Sequence, residues 1–507
     1  MLLRTAALAF ALLAGAPALA QTPRGAPPNA VPAIDPQTAG QARRAPEGEL
    51  SPLLPARLLA NAERVRDRAL TDSTAWDIVE GLTTEIGPRP AGSAAMHRAS
   101  DWAVARLKAL GFENVHKEPF THAGWVRGLE TAEVTAPFPQ RLVIAALGGS
   151  VATPPQGIEA EVALFRSYDE LLAAPEGSVR GKIVVMTQPM PRGGYGNAYR
   201  FRGLGPTEAA KRGAVAYLLR SLATDVRRSP HTGTMTYLPD FSGSAQRPTP
   251  RIPAAALSAP DAEQLERIAL RGKPMRMRLV LTPTTTPGAT SETVVGEIRG
   301  RERPDEVVVI GGHLDSWDLG TGAYDDGAGV AVTAAAAKLI AGLPQRPRRT
   351  IRVVWWGAEE IGQSNRAFAE RYGPAEQARI AIASECDSGP DGITAVSLPA
   401  GAARSSFGRS LGRVLGPLGG YISPQVATDG GADLEDLRGV PLASLSPDGT
   451  RYFELHHTAD DTLDKIDRRK LDQQTAAWAA FTYLAADSDT DFRALAAAAP
   501  PRTEGGR

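Results

Sequence analysis

Three apolar runs in the second half of the chain each lead to residues that can bind a metal ion or carry a proton. EVVVIGG is followed by His313 and Asp315, and a glycine-rich loop then brings Asp325 and Asp326. TIRVVWWGA is followed by Glu359 and Glu360, and ARIAIAS by Glu385 and Asp387. A later segment adds His456 and His457, and the whole chain holds only 7 histidines. Charge beside a buried-type run is costly unless something compensates it, and a shared cation compensates several carboxylates at once. The donor set is imidazole and carboxylate without thiolate clusters, because Cys386 is the single cysteine. Such donors suit zinc and accept manganese or cobalt. Two histidines and at least three carboxylates exceed what one zinc ion requires. Two ions about 3.5 to 4 Å apart, sharing a carboxylate, use them all. Residues 313 and 315 lie two apart in an extended segment, so Asp315 can orient the His313 imidazole. Glu359 and Glu360 leave the backbone in different directions, so one can ligate while the other accepts a proton from water. Glu385 competes with Asp387, and His456 with His457, for the same duty.

From about residue 290 buried-type strands alternate with helices, which predicts an α/β fold with a mostly parallel, helix-covered central sheet. In such sheets the site lies beyond the carboxyl ends of the strands, where the candidate residues fall. Upstream, Met96, Trp102, Ala105 and Ala109 recur at helical spacing, and Gly111 marks a stop. Short β-like runs such as GKIVVM and GAVAYLL, with a helix around 207–212, predict a smaller β-rich lobe inserted into the chain. The expected organisation is a signal peptide over 1–20, a flexible leader over 21–55, a first core part over 56–135, the insert over 136–287, a second core part over 288–487 and a disordered tail over 488–507. The segment 192–202, with Tyr195, Tyr199 and Phe201, reads as a lid or an ordinary exposed loop.

Composition narrows the function. Lys plus Arg number 56 and Asp plus Glu 56, so no net field draws the chain to nucleic acid. The start, MLLRTAALAFALLAGAPALA, combines one basic residue, an apolar stretch and a small-x-small site, the pattern of secretion to a periplasm or the exterior. Its apolar run is shorter than the ~20 residues a membrane span needs, so no stable membrane insertion is expected. No G-x-S-x-G or phosphate loop competes, and Cys386 reads as a small core residue rather than a nucleophile.

In order and spacing, GGHLDSWDLGTGAYDDGAG, WWGAEEIGQ, the aspartate of SECDSG and the histidine of HHTADDTLDKID resemble the co-catalytic zinc peptidases of the M28 family, within it the carboxypeptidase Q branch. IGPRPAGS resembles another segment of that family, and the insert resembles its protease-associated domain. The resemblance implies the α/β/α sandwich of these zinc peptidases and two Zn2+ per subunit. It makes His313, Asp325, Glu360, Asp387 and His457 the ligands, with Asp325 bridging. It makes Glu359 the general base and Asp315 the support of His313, and leaves His456 as a donor to the oxyanion or a supporting group. It further implies a homodimer hydrolysing short peptides, as a dipeptidase or carboxypeptidase. Two rivals stand beside this. One is an aminopeptidase of the same fold, with Asp318 or Asp326 gripping the substrate amine; the other is an inactive peptide-binding relative.

Overall fold

The Arg303–His313 strand is at the centre of the functional half, and its neighbours on both sides run parallel to it. They are Arg349–Trp356 and Ile380–Glu385. The computed structural model that provides this architecture describes residues 51–236 and 249–498. These three strands are apolar almost throughout and buried, as strands covered on both faces must be. Two further strands, Thr284–Ile298 and Glu113–Val126, extend the sheet beyond Arg349–Trp356, and both pairings are antiparallel. The sheet is mixed, with four of the five strands running in one direction and Thr284–Ile298 against them. Parallel order holds where crossover helices follow each strand, while the last two strands return without a covering crossover.

One face is covered by the Ala328–Ala341 helix, buried nearly all round between Arg468–Asp487 and the Ala56–Ala69 and Thr74–Gly81 helices. Its run of small and branched apolar residues, with no polar face, suits that central place. Gly329 lets its first turn approach the site, since a Cβ there would lie 1.8 Å from the Cys386 carbonyl oxygen. The Ala94–Ala109 helix begins on Ser93, whose Oγ accepts the Met96 N–H at 3.1 Å, and the chain turns at Gly111 with φ +86°. Its buried face is Met96, Ala99, Ala103 and Leu107, not the predicted Trp102, Ala105 and Ala109. Alanine is tolerated outside at no cost, and the half-exposed Trp102 instead donates its indole N–H to Glu85 at 2.9 Å.

The insert is a second, eight-stranded sheet built from strands between Glu130 and Leu281, with apolar clusters on its faces. It begins before residue 136, because Glu130–Ala136 already pairs in it, and residues from Thr284 onward belong to the other sheet. A third, three-stranded sheet joins Tyr421–Val426, Ile393–Leu398 and Ser444–Pro447. The expected lid segment is helical over Tyr195–Gly203, with Tyr195 stacked on Phe453 and Phe201 buried. The tail is ordered further than expected. A helix spans Phe492–Ala498, anchored by Phe492, which is buried edge-on against Phe407 with ring centroids 4.9 Å apart. The predicted signal peptide, leader residues 21–50 and residues 499–507 lie outside the described residues. Leader residues 51–55 are fixed, the Leu54 N–H donating to Ser410 Oγ at 2.8 Å. Among the described residues no helix is long and apolar enough to cross a membrane.

Candidate active site

Strand register places His313 beside Trp356 and Gly311 beside Glu385, so the three turns that follow leave the sheet at one edge. Asp325 stands at their centre. Its Oδ1 is 3.1 Å from His313 Nε2, and its Oδ2 is 3.2 Å from His457 Nε2. Asp387 Oδ1 lies 3.7 Å from His313 Nε2, and Glu360 Oε2 lies 2.8 Å from His457 Nε2. Two donor groups result, His313 with Asp325 and Asp387, and Asp325 with Glu360 and His457, and they share Asp325. Glu359 is set beside them, with Oε2 4.0 Å from His313 Nε2 and its side chain 19% exposed toward a cleft of about 940 Å³.

The residues fit a pair of cations. His313 Nδ1 faces the Asp315 backbone carbonyl at 3.0 Å, and His457 Nδ1 faces that of Thr232 at 3.3 Å. A carbonyl only accepts, so both rings carry their proton on Nδ1 and turn the bare Nε2 lone pair inward, the tautomer a metal ligand needs. Both carboxylate oxygens of Glu360 and Oδ2 of Asp325 are buried without a hydrogen-bond partner among the described residues. Buried oxygen lone pairs facing nitrogen lone pairs call for a cation, and nitrogen and oxygen donors suit zinc. Electrostatics agree. Burial raises the Glu359 carboxyl well above its ordinary range, against the pull of His313, and Asp387 and Glu360 push it further. Burial also raises Glu360.

The structure brings His313, Asp325, Glu359, Glu360, Asp387 and His457 together and separates the competitors. Glu385 turns away, its Oε2 accepting the Asp433 N–H at 2.9 Å. His456 lines the cleft but pairs through Nδ1 with His231 Nε2 at 2.7 Å. Asp315 lies behind His313, its backbone carbonyl 3.0 Å and its Oδ1 3.6 Å from Nδ1, and its carboxylate also accepts the N–H groups of Glu359 at 3.1 Å and Glu360 at 3.3 Å. Those two N–H groups sit in a turn without helical partners, so the nearest buried acceptor satisfies them. The two acids considered for an amine grip are engaged elsewhere. Asp326 accepts the N–H groups of His313 and Gly329, each at 3.0 Å, and Asp318 pairs with Arg127 at 2.8 Å.

Several contributors escape a reading of the sequence. Arg89, in IGPRPAGS, is fully buried and donates to the carbonyls of Leu314, Thr321 and Gly322, holding the Asp325 loop. Asp461 accepts the Asp325 N–H at 3.2 Å, and the Tyr452 hydroxyl donates to Asp387 at 3.1 Å. Tyr452 lies four residues before His456, a helical spacing that was legible; His231, Thr232 and Thr234 come from the insert with no local signal. Cys386 is a buried core residue.

The profile of Peptidase family M28 matches residues 293–482. Carboxypeptidase Q of Bos taurus is 37% identical over 413 residues, covering 80% of this chain and 84% of that protein. Carboxypeptidase Q of Homo sapiens is 35% identical over 410 residues, with the same coverage of 80% and 84%. The crystal structure of a peptidase M28 precursor from Shewanella amazonensis superposes with a TM-score of 0.83 at 41% identity, covering 88% of this chain and 99% of that one. A zinc aminopeptidase from Bacillus subtilis shares the fold, with a TM-score of 0.58 at 19% identity over 82% of this chain and 95% of that one. The chain belongs to peptidase family M28. It is a metallopeptidase of that family, similar along most of its length to the carboxypeptidase Q proteins.

Proposed function

We propose that this protein is an exported two-zinc exopeptidase that hydrolyses short peptides as a dipeptidase or carboxypeptidase. The observation that carries the reading is Asp325, shared between His313 and His457 with an undonated oxygen toward the second group. His313, Asp325 and Asp387 would hold one ion, and Asp325, Glu360 and His457 the other. Two bound zinc ions supply Lewis acidity at the scissile carbonyl and acidify the attacking water.

The chain's own residues do the rest. Glu359 accepts a proton from the water as its oxygen bonds to the carbonyl carbon, and passes that proton to the amine nitrogen as the C–N bond breaks. Burial raises the proton affinity of Glu359, which suits both halves of that transfer. Asp315 keeps Glu359 and Glu360 in register by holding both backbone N–H groups. The cleft, about 940 Å³, is of a size for a few residues of extended peptide. The carboxyl-end preference draws on the similarity to carboxypeptidase Q and on the commitment of Asp318 and Asp326 to other partners. Export and pairing as a homodimer rest on the N-terminal pattern and the family resemblance.

The test is a matched set of a free dipeptide, its N-acylated form and its C-amidated form, given to zinc-loaded enzyme with a chelated control. Chelator-sensitive cleavage of the free peptide, with the amide resistant, is expected. Cleavage of the amide but not the acylated form would make the enzyme an aminopeptidase, and no cleavage of any would favour a binding protein.

A further inference from the structure

Tyr195 of the insert packs against His456 with ring centroids 5.5 Å apart, and a short segment of the insert, residues 231–234, makes hydrogen bonds to the site. The Thr232 N–H donates to the His457 carbonyl at 3.0 Å, and Thr234 Oγ1 donates to the Glu360 carbonyl at 2.6 Å. Buried Arg202 braces the segment by donating to the carbonyls of Thr232 at 3.0 Å and Thr234 at 3.2 Å. Gly233, at φ +133°, is required there, because a Cβ would stand 2.1 Å from Arg202 Nη1. His231 leads this segment. It is buried, its Nε2 is 2.7 Å from His456 Nδ1, and its Nδ1 has no hydrogen-bond partner among the described residues.

That geometry assigns protons. A buried N–H left without an acceptor is the worst arrangement open to a neutral imidazole, so His231 carries its proton on Nε2 and donates it to His456 Nδ1. His456 then accepts at Nδ1 and carries its own proton on Nε2. His457, stacked on it with ring centroids 3.5 Å apart, keeps its proton on Nδ1, where it donates to the Thr232 carbonyl. We infer that His231 is a positioning residue from the insert that fixes His456 as an N–H donor to the anionic oxygen formed on the substrate carbonyl. Adjacent histidines thereby take opposite tautomers, one a donor and one a metal ligand. The His456 Nε2–H is free for that task, since Asp325 Oδ2, at 3.5 Å, is beyond good hydrogen-bond distance and the ring lines the cleft. The oxyanion role rests on the peptidase reading; the tautomer does not.

The test uses zinc-loaded enzyme carrying 15N-histidine, with the His456 resonances assigned by H456Q, and the variants H231Q and H231L. Gln places an N–H donor near the position of imidazole Nε2, whereas Leu fills the space without one. The expected result is an Nε2–H tautomer at His456 in the parent and in H231Q, and a mixture in H231L. For H231L, kcat should fall about 10- to 100-fold, less than the ~10²–10³ of deleting an oxyanion donor outright. KM and zinc content should stay level, and H231Q should stay within about threefold of the parent. An Nδ1–H tautomer at His456 in the parent, full kcat in H231L, or zinc loss in proportion to activity would each overturn the inference. If the parent cleaves no peptide, the proposed function fails while the nitrogen shifts still decide the tautomer.

Discussion

Glu359→Gln isolates one event, the movement of a proton. The Glu359 backbone N–H is held by Asp315 at 3.1 Å whatever the side chain, and no protein group donates to its carboxylate among the described residues. The amide has nearly the same shape, so fold and donor groups should stay in place. What disappears is the proton acceptor beside the cluster, with Oε2 4.0 Å from His313 Nε2. Loss of a general base costs about 10²–10⁴ in rate, which at ~1.36 kcal/mol per decade is roughly 2.7 to 5.4 kcal/mol of transition-state stabilisation. KM should move little, because the group acts on water rather than on the peptide. A neutral side chain also relieves crowding with Asp387 and Glu360, so the metal-free protein should be no less stable than the parent. The assay is steady-state hydrolysis of a free dipeptide, with zinc measured in the same sample. A variant that keeps full zinc and more than a tenth of the parent kcat would refute the assignment; zinc lost in step with activity would make Glu359 a ligand instead.

Chelation should lower Tm by at least several degrees and zinc should restore it, because an ion at 1,000 times its Kd contributes about 4.1 kcal/mol; an unchanged Tm would argue against resident metal. Arg89→Met strips hydrogen bonds from the carbonyls of Leu314, Thr321 and Gly322, and at ~1–3 kcal/mol per unsatisfied group the zinc-loaded protein should lose at least ~3 kcal/mol, read from its urea midpoint. Arg89→Lys should rescue little, since one ammonium cannot span the same fan of acceptors. Phe492→Ala empties the contact with Phe407 and should cost ~3–5 kcal/mol in the same assay, whereas a frayed tail would show under 1 kcal/mol.

The chemistry of the site was legible because α/β sheets put function at strand ends, and there His313, Glu360 and Asp387 follow unmistakably apolar runs. Local signals also marked the helix stop at Gly111 and the parallel strands. They misjudged the helix face over 94–109 because alanine carries little information about sides. They did not mark Thr284–Ile298 as the strand that runs against the others, because strand direction is decided by the path of the return connection, not by the strand's own residues. The ordered tail was missed since one buried ring, Phe492, holds a segment that composition alone describes as loose.

By itself, the sequence determined the donor types, their order and the absence of thiolate clusters, and hence the family resemblance. It could not rank His456 against His457 or Glu385 against Asp387, because adjacent or alternating residues have the same local pattern. Tertiary structure separates them by partner. His457 donates from Nδ1 to a carbonyl of the insert while His456 pairs with His231, and the Asp433 N–H draws Glu385 away. The physical reason is that a tautomer or a carboxylate's direction is set by the hydrogen-bond partner opposite it, and those partners come from distant parts of the chain that only the fold brings near.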